Sequence, residues 1–222
     1  MIYNYNLGIV LLMCLGWTFF LKTIAARLTK GISSSSHPFL IGAVSTFSMF
    51  IFFTLQSYSL NTPLTLAYLF FFSALVITMF TDATTLLISR MVSLYSMPIG
   101  WILAKTEILP ISILESIIGS IFGLLFLWSV RTISRKIMGK DGLGQGDIDL
   151  LAFIGAFIGP LGCWITVITG SLIGSIIGFI YMIAGRKNNT VFLLPFGLFL
   201  AIGAALYILF KENLISLFIP QF

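Results

Sequence analysis

From Ile148 to Ala184 the chain reads IDLLAFIGAFIGPLGCWITVITGSLIGSIIGFIYMIA, 37 residues whose one charge is Asp149. A helix needs about 20 apolar residues to cross a hydrocarbon core about 30 Å thick, so this stretch is too long for one crossing and too apolar for water. Gly159, Pro160 and Gly162 interrupt it in the middle, where proline removes a helical hydrogen bond and glycine loosens the backbone. It is therefore expected to split into a short helix opening at about Asp147 and a second helix from about Cys163 to Ala184. That break sets the parity of the crossings, and with it the membrane face of every later loop.

Working outward, apolar runs bounded by charges or turn residues predict spans near Leu7 to Leu21, Pro38 to Leu55, Leu64 to Phe80, Met91 to Ala104 and Ile113 to Val130, with a last one from about Leu193 to Phe210. Of the 222 residues 59% are hydrophobic and 9% charged, against about a quarter charged in soluble domains. A soluble globular protein is excluded. Eight spans take about 160 residues and leave only short loops. The fold expected is an all-α polytopic transmembrane bundle of about eight helices, one membrane-embedded domain over residues 1–222.

The first apolar run has its positive charges after it rather than before it, the reverse of a cleavable signal, which predicts an N-terminus outside the cytoplasm. With that start, ten of the twelve Lys and Arg fall in inward loops, and only Lys105 and Lys211 fall outside. The net charge of +5 thus reports topology and is no sign of nucleic-acid binding. Cys14 and Cys163 form no CxxC pair or zinc spacing and read as packing residues. His37, beside Pro38, reads as a turn position, and neither metal nor cofactor is expected. Gly119 with Gly123, Gly155 with Gly159, and Gly170, Gly174 and Gly178 recur every four residues, a spacing that lets helices approach closely in lipid.

The seven acidic residues sort by side. Glu107, Glu115 and Glu212 lie toward the outer ends; Asp82, Asp141, Asp147 and Asp149 lie at the inner ends. A carboxylate at the edge of hydrocarbon is costly unless solvated or paired. Asp82 closes the third span and is followed by more apolar sequence, so it is an interfacial anchor or something more. Asp147 closes Gly144-Gln145-Gly146-Asp147 and opens a helix, so it is an N-cap or something more. Two crossings separate them, which brings both to one membrane face. Asp149 lies about 200° around the helix from Asp147 and is expected to point elsewhere; Asp141 is expected to be solvated. Two carboxylates a few ångströms apart share a proton, and one can then act as base on a water while the other donates to a carbonyl oxygen. Gly144 and Gly146 would serve such a pair by allowing φ > 0 and the close approach of a peptide backbone.

The stretch GKDGLGQGDIDLLAFIGAFIG (Gly139 to Gly159) closely resembles the signature of the type IV prepilin leader peptidases, membrane aspartyl proteases of the GxGD kind. DATTLLIS (Asp82 to Ser89) is similar to that family's first-aspartate segment, and LPFGLFLAIGA (Leu194 to Ala204) to its Pro-Phe-Gly element. The resemblance covers a core of about residues 64–210. It implies that Asp82 and Asp147 are the catalytic aspartates, and that the substrates are leader peptides of type IV prepilins or type II secretion pseudopilins. These would be cut after a glycine at the cytoplasmic face of the bacterial inner membrane. Members that also methylate the new N-terminus carry a large cysteine-bearing insert between the first two spans. Here that loop is only Lys22 to His37, without cysteine, so the part of the pattern tied to methyl transfer is missing. Asp149 stands where the family usually has Lys, Ser89 and Leu198 where it usually has Pro. The alternative is a small proton- or cation-coupled transporter, which would show midplane ionisable groups and an internal repeat. The four aspartates instead cluster at one edge, and no repeat is visible.

Overall fold

Helices that are apolar on every side belong in lipid or in a core, and such helices dominate the computed structural model. It describes residues 62–85, 88, 90, 92–139, 142–184 and 195–218, with Gly16, Phe19, Phe20 and Thr23 as isolated positions. The described residues form six helices and no strand: α1 Thr62–Thr85, α2 Met97–Lys105, α3 Ile113–Met138, α4 Gln145–Ala184, α5 Phe196–Leu209 and α6 Lys211–Phe218. Three of them, α1, α3 and α4, are long and apolar enough to cross a bilayer. The expected first and second spans, the Lys22–His37 loop, Cys14, Asp141 and Ser89 lie outside the described residues, those isolated positions apart.

Local chemistry sets the helix ends. Ser112 opens α3 with a capping box: its Oγ accepts from the Glu115 N–H at 3.2 Å, and its own N–H donates to Glu115 Oε2 at 2.7 Å. Gly139 closes α3 in the left-handed conformation (φ 68°), its N–H donating to the Arg135 carbonyl at 3.0 Å. The fourth expected span, 91–104, is shorter in fact. Its helix begins only at Met97, after turns over 92–96, because a helix arriving from 91 would drive the Pro98 ring into the carbonyl of Leu94. Nine residues of α2 rise about 14 Å, short of a full crossing.

The interruption in the long apolar stretch is a reversal. Twelve residues of straight helix would carry Cys163 about 18 Å beyond Leu151, yet the Cys163 Sγ lies 3.8 Å from the Leu151 carbonyl oxygen. Gly159, at φ 74° and ψ −179°, turns the chain, and Pro160 starts the return. α4 is thus a hairpin of two arms, 145–158 and 160–184, as the sequence break predicts.

Lipid tails are as apolar as leucine, so close packing rather than expulsion from water holds such helices together. α3 runs antiparallel to the first arm through bare backbone: a methyl group on Gly119 or Gly155 would collide with the other's carbonyl, and one on Gly123 would sit 2.5 Å from the Leu151 oxygen. The second arm meets α5 likewise, with a methyl on Gly170 2.8 Å from the Phe199 oxygen and one on Gly203 2.6 Å from the Thr166 oxygen. α1 joins the first arm through Phe71, Phe153 and Phe157, all fully buried, with ring centroids 4.9 to 5.4 Å apart. Because a backbone carbonyl cannot step aside, Gly155→Leu is expected to destabilise the α3–α4 pair by about 3 kcal/mol or more. A denaturant titration of the protein in detergent micelles measures this, and an unchanged midpoint would disprove the contact.

Candidate active site

Three helix ends meet at one end of the bundle: the C-terminus of α1 with Asp82, the N-terminus of α4 with Asp147, and the N-terminus of α5 with Gly197. The convergence follows from chain direction, since α1 runs antiparallel to the first arm of α4 and α5 antiparallel to the second. Asp82 and Asp147 are both buried, at 4% and 8% exposure. A methyl group placed on Gly197 would lie 2.8 Å from Oδ2 of Asp82 and 3.3 Å from Oδ1 of Asp147. Those two oxygens are therefore within about 6 Å of one another, close enough for either charge to act on the other and for one small molecule to touch both.

Each carboxylate is held by the backbone. Asp82 Oδ2 accepts from the Leu198 N–H at 3.0 Å, one of the free donors of the first turn of α5. Asp147 Oδ2 accepts from the Gly144 N–H at 3.1 Å. Because α4 opens at Gln145, Asp147 is its third residue, and it reaches back to the residue before the helix as an acid in a capping box does. The cap uses one oxygen only. Asp147 Oδ1, facing Asp82, is buried without a hydrogen-bond partner, although the Gly197 N–H lies near both carboxylates. The cap thus leaves this second oxygen beside Gly197, within reach of the space that Asp82 Oδ2 also borders.

Among the described glycines only Gly139 and Gly159 have positive φ. The expectation of φ > 0 at Gly144 and Gly146 is thus not met; their service is of another kind. Gly144 supplies the N–H for Asp147. Gly146 supplies room: a methyl there would sit 2.6 Å from Ile88 Cβ.

Asp149 points away from the pair. Its Oδ2 accepts from Arg90 Nε at 2.9 Å and its Oδ1 from Gln145 Nε2 at 3.4 Å. The hydrogen bond and charge of Asp149 in turn raise the Arg90 guanidinium above its ordinary value. Gln145 Oε1 accepts from Arg131 Nη1 at 2.7 Å, so a polar chain Arg90–Asp149–Gln145–Arg131 ties the segment after α1 to α4 and α3. Sequence reasoning missed Arg90 in this role. It counted Arg90 only as a topogenic charge, and nothing local relates it to an acid 59 positions later. It also left Ile88 unremarked, although that side chain sits beside both Gly146 and Gly197. The leucine at 198, where the resembled family usually has proline, matters directly: its N–H, which a proline would lack, binds Asp82.

Compared with known proteins, residues 69–183 match the model of the type IV leader peptidase family. The chain is 36% identical over 100 residues to the prepilin leader peptidase/N-methyltransferase of Pseudomonas aeruginosa, covering 45% of this chain and 34% of that one. It is 32% identical over 112 residues to the protein of that name from Aeromonas hydrophila, covering 50% and 38%. It is 33% identical over 102 residues to the one from Xanthomonas campestris, covering 46% and 35%. The matched stretch thus spans about a third of the length of these curated relatives. No solved structure matches the chain.

Proposed function

The chain belongs to the type IV leader peptidase family, and on that premise we propose that it is a membrane aspartyl endopeptidase that removes the leader from type IV prepilins or type II secretion pseudopilins. Asp82 and Asp147 are its catalytic pair: one carboxylate, ionised, takes a proton from a water, and the other, protonated, donates to the scissile carbonyl oxygen. The observation that carries this reading is the approach of Asp82 Oδ2 and Asp147 Oδ1 to one point beside Gly197. The leader peptide would approach along the backbone at Gly144, the space beside Gly146 being filled by Ile88.

The charges support one orientation of the site. Arg90 and Arg131 bond to residues at the α4 N-terminus, beside the carboxylate pair, while Lys105 ends α2 and Lys211 follows α5 at the opposite end. On the positive-inside rule the pair faces the cytoplasm and the N-terminus lies outside; the chain passes the bacterial inner membrane about eight times, counting the short α2 with the turns over 92–96 before it as one passage. A basic leader then stays in the cytoplasm while the apolar pilin helix behind it occupies lipid.

The test is purified full-length protein in detergent with a purified prepilin. The expected result is one cut, with N-terminal sequencing of the product placing it directly after a glycine at the end of the leader. An intact precursor after prolonged incubation, from protein that is folded by circular dichroism, would overturn the proposal.

A further inference from the structure

Ile88 occupies a place the aspartyl pair itself does not explain. A methyl group on Gly197 would lie 2.5 Å from Ile88 Cδ1 as well as beside both carboxylates, and one on Gly146 would lie 2.6 Å from Ile88 Cβ. Two glycines from different helices thus vacate one space next to the pair, and a single isoleucine side chain fills it. Two residues on, Arg90 is fastened to the buried Asp149 on the face of α4 turned away from the pair.

For hydrolysis, a scissile carbonyl carbon has to come within about 3 to 3.5 Å of the water held by the carboxylates. The α-carbon of the residue that supplies this carbonyl is one bond further, so any side chain on it falls among the atoms around Gly197. There it competes with the Ile88 terminal carbons. A residue without a side chain does not.

We propose that Ile88 sets the size of the substrate residue accepted on the leader side of the scissile bond, and that the Arg90–Asp149 ion pair is the positioning device that keeps Ile88 in place. The inference rests on the peptidase reading above. It assigns the discrimination to a residue outside the GxGD stretch, reached only through the close approach of Gly146 and Gly197.

The experiment compares two versions of one prepilin, with glycine or alanine at the end of the leader, and reads the ratio of their kcat/KM values. One methyl group in a tight apolar site discriminates by about 10- to 200-fold. Ile88→Ala is expected to raise the alanine-to-glycine ratio by at least about tenfold, with Ile88→Val in between. Arg90→Gln is expected to raise the ratio less, and Arg90→Lys, which keeps the charge, to hold it near the wild-type value. Equal changes on both substrates in Ile88→Ala and Ile88→Val, or an unmoved ratio, would refute the role of Ile88 while leaving the peptidase standing. A ratio in Arg90→Gln identical to wild type would refute the positioning role. Failure of the unaltered protein to cut the glycine version would remove the peptidase reading and this inference together.

Discussion

Asp82→Asn and Asp147→Asn, made one at a time, are each expected to stop leader cleavage while the protein still inserts in the membrane. Asparagine keeps the shape of aspartate and an acceptor oxygen, so the Leu198 N–H at residue 82 and the Gly144 N–H at residue 147 keep their partners. What is lost is the proton traffic. Positioned acid–base groups contribute about 10² to 10⁴ in rate each, and a shared-proton pair works as a unit, so either change should cost nearly as much as both. Co-expression with a prepilin, followed by immunoblotting of precursor and mature forms in the membrane fraction, reads the effect. Normal processing by either variant would end the assignment of that residue. The same mechanism predicts a bell-shaped rate profile: at low pH both carboxyls are protonated and no base remains, and at high pH both are ionised and no acid remains. A rate independent of pH from 3 to 10 would contradict it; those limits are roughly the span over which carboxyl groups, including strongly shifted ones, titrate in proteins.

Gly197→Ala should cut activity by about tenfold or more although it adds only one methyl group. That methyl lands 2.8 Å from Asp82 Oδ2 and 2.5 Å from Ile88 Cδ1, closer than carbon and oxygen or two carbons pack. The Asp82 oxygen is tethered to the next residue's N–H, so relief comes by turning the carboxylate out of line with Asp147. A displacement of about 1 Å in a catalytic group can cost on the order of 10²-fold. Global stability should change little, because Gly197 sits in the first turn of α5 and not in the Gly170–Phe199 or Gly203–Thr166 contacts that join α5 to the second arm. The check is a cycle with Ile88→Ala: residues in contact couple, and the smaller side chain should restore part of the lost activity. Additive losses would mean that Ile88 and Gly197 do not share the space.

The apolar run from Ile148 to Ala184 could be split correctly from sequence because Gly159-Pro160 states its own backbone consequence: no straight helix of L-residues runs through that pair. Gly119, Gly123, Gly155 and Gly170 could likewise be read as close-approach positions, since a missing side chain four residues from another marks one helix face. The break before Met97 was missed because a proline two residues into a helix looks the same, in a hydropathy count, as a proline inside one. Only the clash with the Leu94 carbonyl separates the two cases.

For the site, composition and order along the chain singled out which carboxylates had no cheap explanation, because charge at a hydrocarbon edge carries a cost that each residue shows alone. They could not determine that Asp147 divides its two oxygens between a helix cap and the partner acid, that the N-terminal turn of α5 delivers an N–H to Asp82, or that Asp149 turns to Arg90. Those are contacts between segments 50 to 120 residues apart, set to within fractions of an ångström by backbones touching where glycine leaves out a side chain. Such distances exist only once the helices have packed.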